Sequence, residues 1–278
     1  MSTVSAPMRP ARDVSGWVAA WRNAEIPVLR ETAEQLEELR AREEEVDAHL
    51  LAPVIGADPL MCLKLLAHVS NHRSSRCVTD TETATAALVM MGIGPFFRRF
   101  GPQPTVQDKL ADQPQALEGL MQLLLRAQRA ARFALGFAVH RMDLDAEVIH
   151  EAALLHDFAE MLLWCHAPGL ALDIEQRQRA DSTLRSAAAQ RQVLGVELVD
   201  VQQALMRSWH LPELLVRISD DRRDKEPQVR NVLLAIRLAR HTQRGWDNAA
   251  VPDDVRDISQ LLNLRPESTV KLLRDLDS

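Results

Sequence analysis

The run Ala153-Leu154-Leu155-His156-Asp157-Phe158 sets a vicinal histidine and aspartate inside an apolar stretch. An imidazole nitrogen beside a carboxylate can hold a divalent cation, and a cation so held can activate water against a phosphate ester. The same doublet can equally be a buried hydrogen-bonded pair, each side chain satisfying the other where water is excluded. Taken alone, it supports both readings. His150 does not complete a metal site, because it shares a helix face with Asp157 but stands seven residues away. That is ~10 Å along the axis at ~1.5 Å per residue. His140 falls at the end of a helix and is expected to be exposed.

Two other groups of residues have chemistry to offer. Arg126, Arg129 and Arg132 recur every third residue, and guanidinium groups bind phosphates well. At ~100° per residue they spread over about 120° of one helix face, as a solvated face would, and a phosphate-bearing messenger is the sharper reading. Arg98-Arg99 lies among Phe96, Phe97 and Phe100, a junction that either packs internally or docks a partner. The chain contains no P-loop, no glycine-rich dinucleotide turn, no HExxH and no serine or cysteine nucleophile context. Nothing points to acyl transfer or redox chemistry.

The elements that must position these residues are helices. Tyrosine is absent, aromatics make up 4% of the chain and alanine and leucine dominate, which are helix-forming choices. Apolar residues recur at three and four, so the fold is expected to be all-α. A first segment, 1–15, is a flexible lead-in, and an acidic helix follows around 32–45. Asp58-Pro59 starts the next helix, the aspartate capping free N–H groups and the proline losing no hydrogen bond; it ends near Asn71. Asp80 or Thr81 starts another, stopped by Gly92. The glycine- and proline-rich segment after it is expected to divide an N-terminal helical subdomain (16–105) from a second one (106–221). A long helix spans about Gln115–His140, with Gln128 inside its apolar stripe, and a buried helix covers about Asp145–Cys165. Further helices are expected at 172–193, 195–209, 211–219, 227–244 and 254–277, with turns at Pro212, Pro227, Pro252 and Pro266. Residues 222–278 form a C-terminal helical extension.

Composition narrows the setting. Apolar residues at 46% and charged residues at 26% describe a globular protein with a real core. No apolar stretch is long enough to cross a bilayer, no secretory signal opens the chain, and a cytoplasmic location is expected. Cys62, Cys77 and Cys165 are odd in number and form no CxxC pair, against both a disulfide framework and a thiolate zinc site. A net charge of −6 argues against non-specific nucleic-acid binding.

Several segments, in this order and spacing, resemble the HDOD family, a regulatory offshoot of the HD-type metal phosphohydrolases. They are Ile26-Pro27-Val28-Leu29, Asp58-Pro59-Leu60, Ala87-Leu88-Val89-Met90-Met91-Gly92, Leu154-Leu155-His156-Asp157 and Trp209-His210-Leu211-Pro212. Ser70-Asn71 stands where the family usually has Asn-Ser, and Ala153 and Ala159 replace its usual glycines. The resemblance covers about residues 26–221.

It also implies what a working metal site would need: a histidine some 25–30 residues before the doublet, and more histidines downstream. Residues 112–139 contain no histidine. Gln128 is the expected occupant of the vacated upstream position, and a neutral amide is a poor ligand there. Leu198 and Val199 stand near where a catalytic relative offers histidine, and Asp220-Asp221 replace a frequent His-His pair. The resemblance therefore implies a non-catalytic regulator in bacterial signal transduction, with His156 and Asp157 a structural pair and no cofactor. It would act through separate signalling proteins, with self-association left open and neither membrane nor nucleic acid as partner. The N-terminal subdomain and the C-terminal extension are the expected contact surfaces. The alternative is a metal-dependent phosphohydrolase holding a divalent metal on His156, Asp157 and Asp220 or Asp221.

Overall fold

A computed structural model describes residue 11, residues 13–72 and residues 82–278. Cys77 and the helix start at Asp80 or Thr81 lie outside the described residues, as does most of the lead-in. The N-terminal helices are α1 (Val14–Trp21), α2 (Arg30–Arg40), α3 (Ala48–Gly56), α4 (Pro59–Asn71), α5 (Ala84–Met91), α6 (Ile93–Arg99) and α7 (Val106–Lys109). The centre holds α8 (Pro114–His140), α9 (Ala146–Leu154), α10 (Phe158–His166), α11 (Pro168–Ala180), α12 (Ser186–Leu194), α13 (Leu198–Ser208) and α14 (Glu213–Ile218). The chain closes with α15 (Pro227–His241), α16 (Val251–Leu262) and α17 (Pro266–Leu276). Short 3-10 turns cover Glu43–Glu45 and Asp221–Arg223. Among the described residues there is no β-strand, only an isolated bridge between Val28 and Thr105. The fold is all-α, and no single described helix is long and apolar enough to span a membrane.

Local chemistry explains the strongest boundaries. Asp58 accepts from the Leu60 and Met61 amides with one carboxylate oxygen and from the Leu29 amide with the other. It therefore starts α4 and ties the residues before α2 to it. Leu60, Leu63, Leu66 and Ala67 then point inward. The long helix α8 carries a buried stripe from Ala116 to Ala138 and packs most extensively against α9 and α15. Gly119 lets the Trp164 ring cross it, since a Cβ there would stand 2.6 Å from the ring.

Several expectations are corrected. The acidic helix stops at Arg40, and Glu43–Glu45 form a separate 3-10 turn. The segment after Gly92 is not a break: Gly92, at φ 81°, turns the chain and α6 begins at once. Phe96 and Phe97 on α6 and Phe100 just after it are buried, so the aromatic rings are core and offer no docking surface, while Arg98 and Arg99 stay exposed. The region expected at 172–193 divides where Asp181 accepts from the Thr183 amide and hydroxyl, and the region at 254–277 divides at Asn263, φ 52°. Pro252 lies in the first turn of α16 rather than between helices. The buried apolar residues form one cluster running from Trp17 to Leu273.

Candidate functional site

The helix expected at 145–165 is broken at the doublet itself. α9 closes when the Leu155 amide donates to the Glu151 carbonyl, and α10 restarts when the Met161 amide donates to the Asp157 carbonyl. Between them Leu155 and Asp157 leave helical geometry (ψ 3° and 25°). The bend lets two polar side chains leave an otherwise apolar surround. Asp157 caps nothing in α10, because its carboxylate is committed elsewhere.

His156 Nδ1 lies 2.9 Å from Asp157 Oδ1 and His156 Nε2 lies 2.9 Å from Asp221 Oδ1. An imidazole with a carboxylate on each nitrogen donates from both and is therefore an imidazolium. Burial alone would lower its pKa, but Asp157 and then Asp221 outweigh burial and push it up to about 10. Asp157 is opposed in the same way: burial raises its pKa, while His156 first, then Arg240 and Arg126, hold it well below the usual carboxylate range. Arg126 Nη2 and Arg240 Nη2 stand 3.6 and 3.8 Å from Asp157 Oδ2. Glu160, one turn along α10, is also enclosed, and burial raises its pKa.

Neighbouring elements hold these groups in place. Asp221 opens a 3-10 turn whose first residue is fixed by the preceding Asp220, which accepts from the Arg222 amide. Gln203 on α13 donates to the Ser219 carbonyl, and Gln202 accepts from the Ala159 amide. Together they tie α13 to the start of α10 and to the loop that carries Asp221.

The doublet forms the floor of a cleft of about 900 Å³. Leu198 and Val199 line it, as do Asp221, Arg185, Lys225, Arg237 and Arg240. Asp220 does not line it and instead stands 3.7 Å from Arg223. Gln128 is not beside the doublet: its amide donates to the Ala57 carbonyl at the α3–α4 junction. The residue of α8 that faces Asp157 is Arg126, 30 positions before His156. The arginine row is no shared face either. Arg129 clamps Asp277 with two hydrogen bonds of 2.5 Å, Arg132 is exposed, and only Arg126 turns to the doublet. Arg240 and Glu160 gave no sequence signal, since the packing of α15 against α8 is what brings them in.

A divalent cation fits this arrangement poorly. Both nitrogens of His156 lie at hydrogen-bond distance from carboxylates, and two guanidinium groups stand where a metal's charge would balance Asp157. Among the described residues no group of His, Cys, Asp and Glu side chains has the geometry of a metal site.

A family model, the HDOD domain, matches residues 26–223. Two solved structures share the fold. One is the MmoQ response regulator from Methylococcus capsulatus str. Bath, at 17% identity and a TM-score of 0.65, covering 90% of this chain and 98% of that one. The other is a virulence factor from Campylobacter jejuni subsp. jejuni, at 16% identity and a TM-score of 0.65, covering 95% of this chain and 92% of that one. No match was found among curated proteins.

Proposed function

The chain belongs to the HDOD family, and from that premise we propose that it is a non-catalytic regulatory protein of signal transduction that acts by contact with other proteins. The carrying observation is the His156 imidazole held between Asp157 and Asp221. A histidine fixed as a cation neither ligates a metal nor accepts a proton from water. Arg126 and Arg240 stand near Asp157 and add charge that balances it, which supports an ion-free pair. A fold neighbour described as a response regulator supports a signalling role.

The test is metal content and phosphodiester hydrolysis, measured together on protein purified without chelators. The reading expects no stoichiometric metal and no hydrolysis of bis(p-nitrophenyl) phosphate above background, with or without added Mn²⁺. Near-stoichiometric iron, manganese or zinc, lost together with a hydrolytic rate in the His156→Ala, Asp157→Ala double variant, would overturn it in favour of a phosphohydrolase.

A further inference from the structure

Arg126 and Arg240 come from different helices and converge on one carboxylate oxygen, at distances that give charge contact but no hydrogen bond. Each guanidinium is rich in N–H donors, and Arg126 Nε is buried with no acceptor. Asp157 has already given its other oxygen to His156.

Two further features lie in the same place. The cleft adjoins a chamber of about 280 Å³, and Arg240, Glu160, Ser186 and Gln190 line both. The chamber wall adds Arg126, Arg244, Glu175 and the side chains of Gln122, Gln178 and Gln243, so three arginines face two carboxylates there although the chain as a whole carries net charge −6. Helix α12 begins at the cleft with no side chain accepting from its first-turn amides, and Arg185, Ser186 and Ala187 line the opening. Free amides at a helix start add positive potential.

We propose that this chamber binds a sugar phosphate monoester, the phosphate resting on Arg126, Arg240 and the start of α12 and the sugar hydroxyls on the glutamine amides. A dianionic phosphate offers acceptors to donors that have none, in the forked geometry guanidinium groups favour. The inference rests on the non-catalytic reading of the cleft and names the class of molecule that would be its input.

Isothermal titration of the full chain with ribose 5-phosphate and with adenosine 5′-monophosphate tests it, and the two probes distinguish a free sugar phosphate from a nucleotide. Saturable binding of at least one, with ribose and adenosine weaker by about tenfold or more, is expected. Arg240→Ala, at a half-exposed side chain, should weaken binding by about tenfold, and Arg126→Lys should weaken it less than Arg126→Gln. If Arg126→Gln does not fold, Arg240→Ala carries the test. No heat from either ester, or affinity unchanged in Arg240→Ala, overturns the proposal and leaves the non-catalytic reading standing. Phosphorus NMR of the bound ester separates the two: an intact ester keeps both, whereas phosphate release abolished by His156→Ala keeps the site and overturns the non-catalytic reading.

Discussion

At the scale of single residues, the doublet is a matter of charge rather than of ligation. His156 joins Asp157 to Asp221, and removing it leaves Asp221 without that cation and Asp157 with only the more distant Arg126 and Arg240. His156→Ala should therefore cost on the order of 3 kcal/mol in unfolding free energy. The pH dependence has a defined sign. The imidazole titrates at 6.5 when unconstrained and at about 10 in the fold, so the folded state binds the extra proton between those values. Its contribution is fully present below about pH 6.5, declines as pH rises and is gone above about pH 10. Urea unfolding of wild type and His156→Ala should show the largest difference near pH 6 and little near pH 10. A difference that grows with pH would mean that the imidazole is neutral in the fold.

Glu151 shows how one side chain can join three elements. It sits on α9, buried, and one carboxylate oxygen accepts from the Ala84 amide at the start of α5 (2.7 Å) and from the Cys62 thiol on α4 (3.1 Å). Its other oxygen is buried with no partner. Burial, countered by the Cys62 and Ala84 hydrogen bonds and aided by Glu147, raises its pKa to about 7. Because the folded value exceeds the unfolded 4.5, the fold binds the additional proton, and stability falls as pH rises from about 4.5 to about 7. Glu151→Gln keeps an acceptor for Ala84 and carries no charge. It should be more stable than wild type at about pH 8, by on the order of 2–3 kcal/mol, and equal to it near pH 4. Denaturant melts at the two pH values check this, and a variant less stable at both would show that the charge itself is needed. Helix starts and stripes of this kind differ in how far sequence reveals them. The Asp58-Pro59 start was legible because cap and helix are adjacent, and α8 because its period runs uninterrupted. The break at residues 155–157 was not, since apolar residues continue on both sides and no glycine or proline marks it. The side chain freed at the break meets a partner 65 residues away, Asp221, which no local pattern reveals. Arg126 rather than Gln128 meets the doublet for a related reason: the apolar stripe says which face of α8 is buried, but the packing of α10 and α15 decides which polar residue meets the doublet.

Across the whole molecule, the last three helices are part of the core rather than an appendage. The family match ends at residue 223, yet Arg237 and Arg240, which line the cleft, lie on α15 beyond it. The end of the chain is fastened to α8. Arg129 holds the Asp277 carboxylate with two hydrogen bonds and donates to the Thr242 carbonyl, and Trp246 donates to the same carboxylate. Arg274 lies over the Trp246 ring, and Leu273 is fully buried. Gly136 on α8 leaves room for the Leu276 side chain, which any Cβ there would meet. An extension serving only as a contact surface would leave the remaining helices unaffected when removed. This geometry instead makes α17 a clasp that holds α15, and with it Arg240, against α8. Asp277→Ala should therefore lower stability by about 2 kcal/mol, since it removes charge-assisted hydrogen bonds from a mostly buried arginine. Removal of residues 266–278 should lower the melting temperature of the whole protein in a single transition, because all the helices share one core. Calorimetry decides the matter: an unchanged main transition after that truncation would make the C-terminal helices a separate unit and would remove the reason for Arg240 to stand beside Asp157.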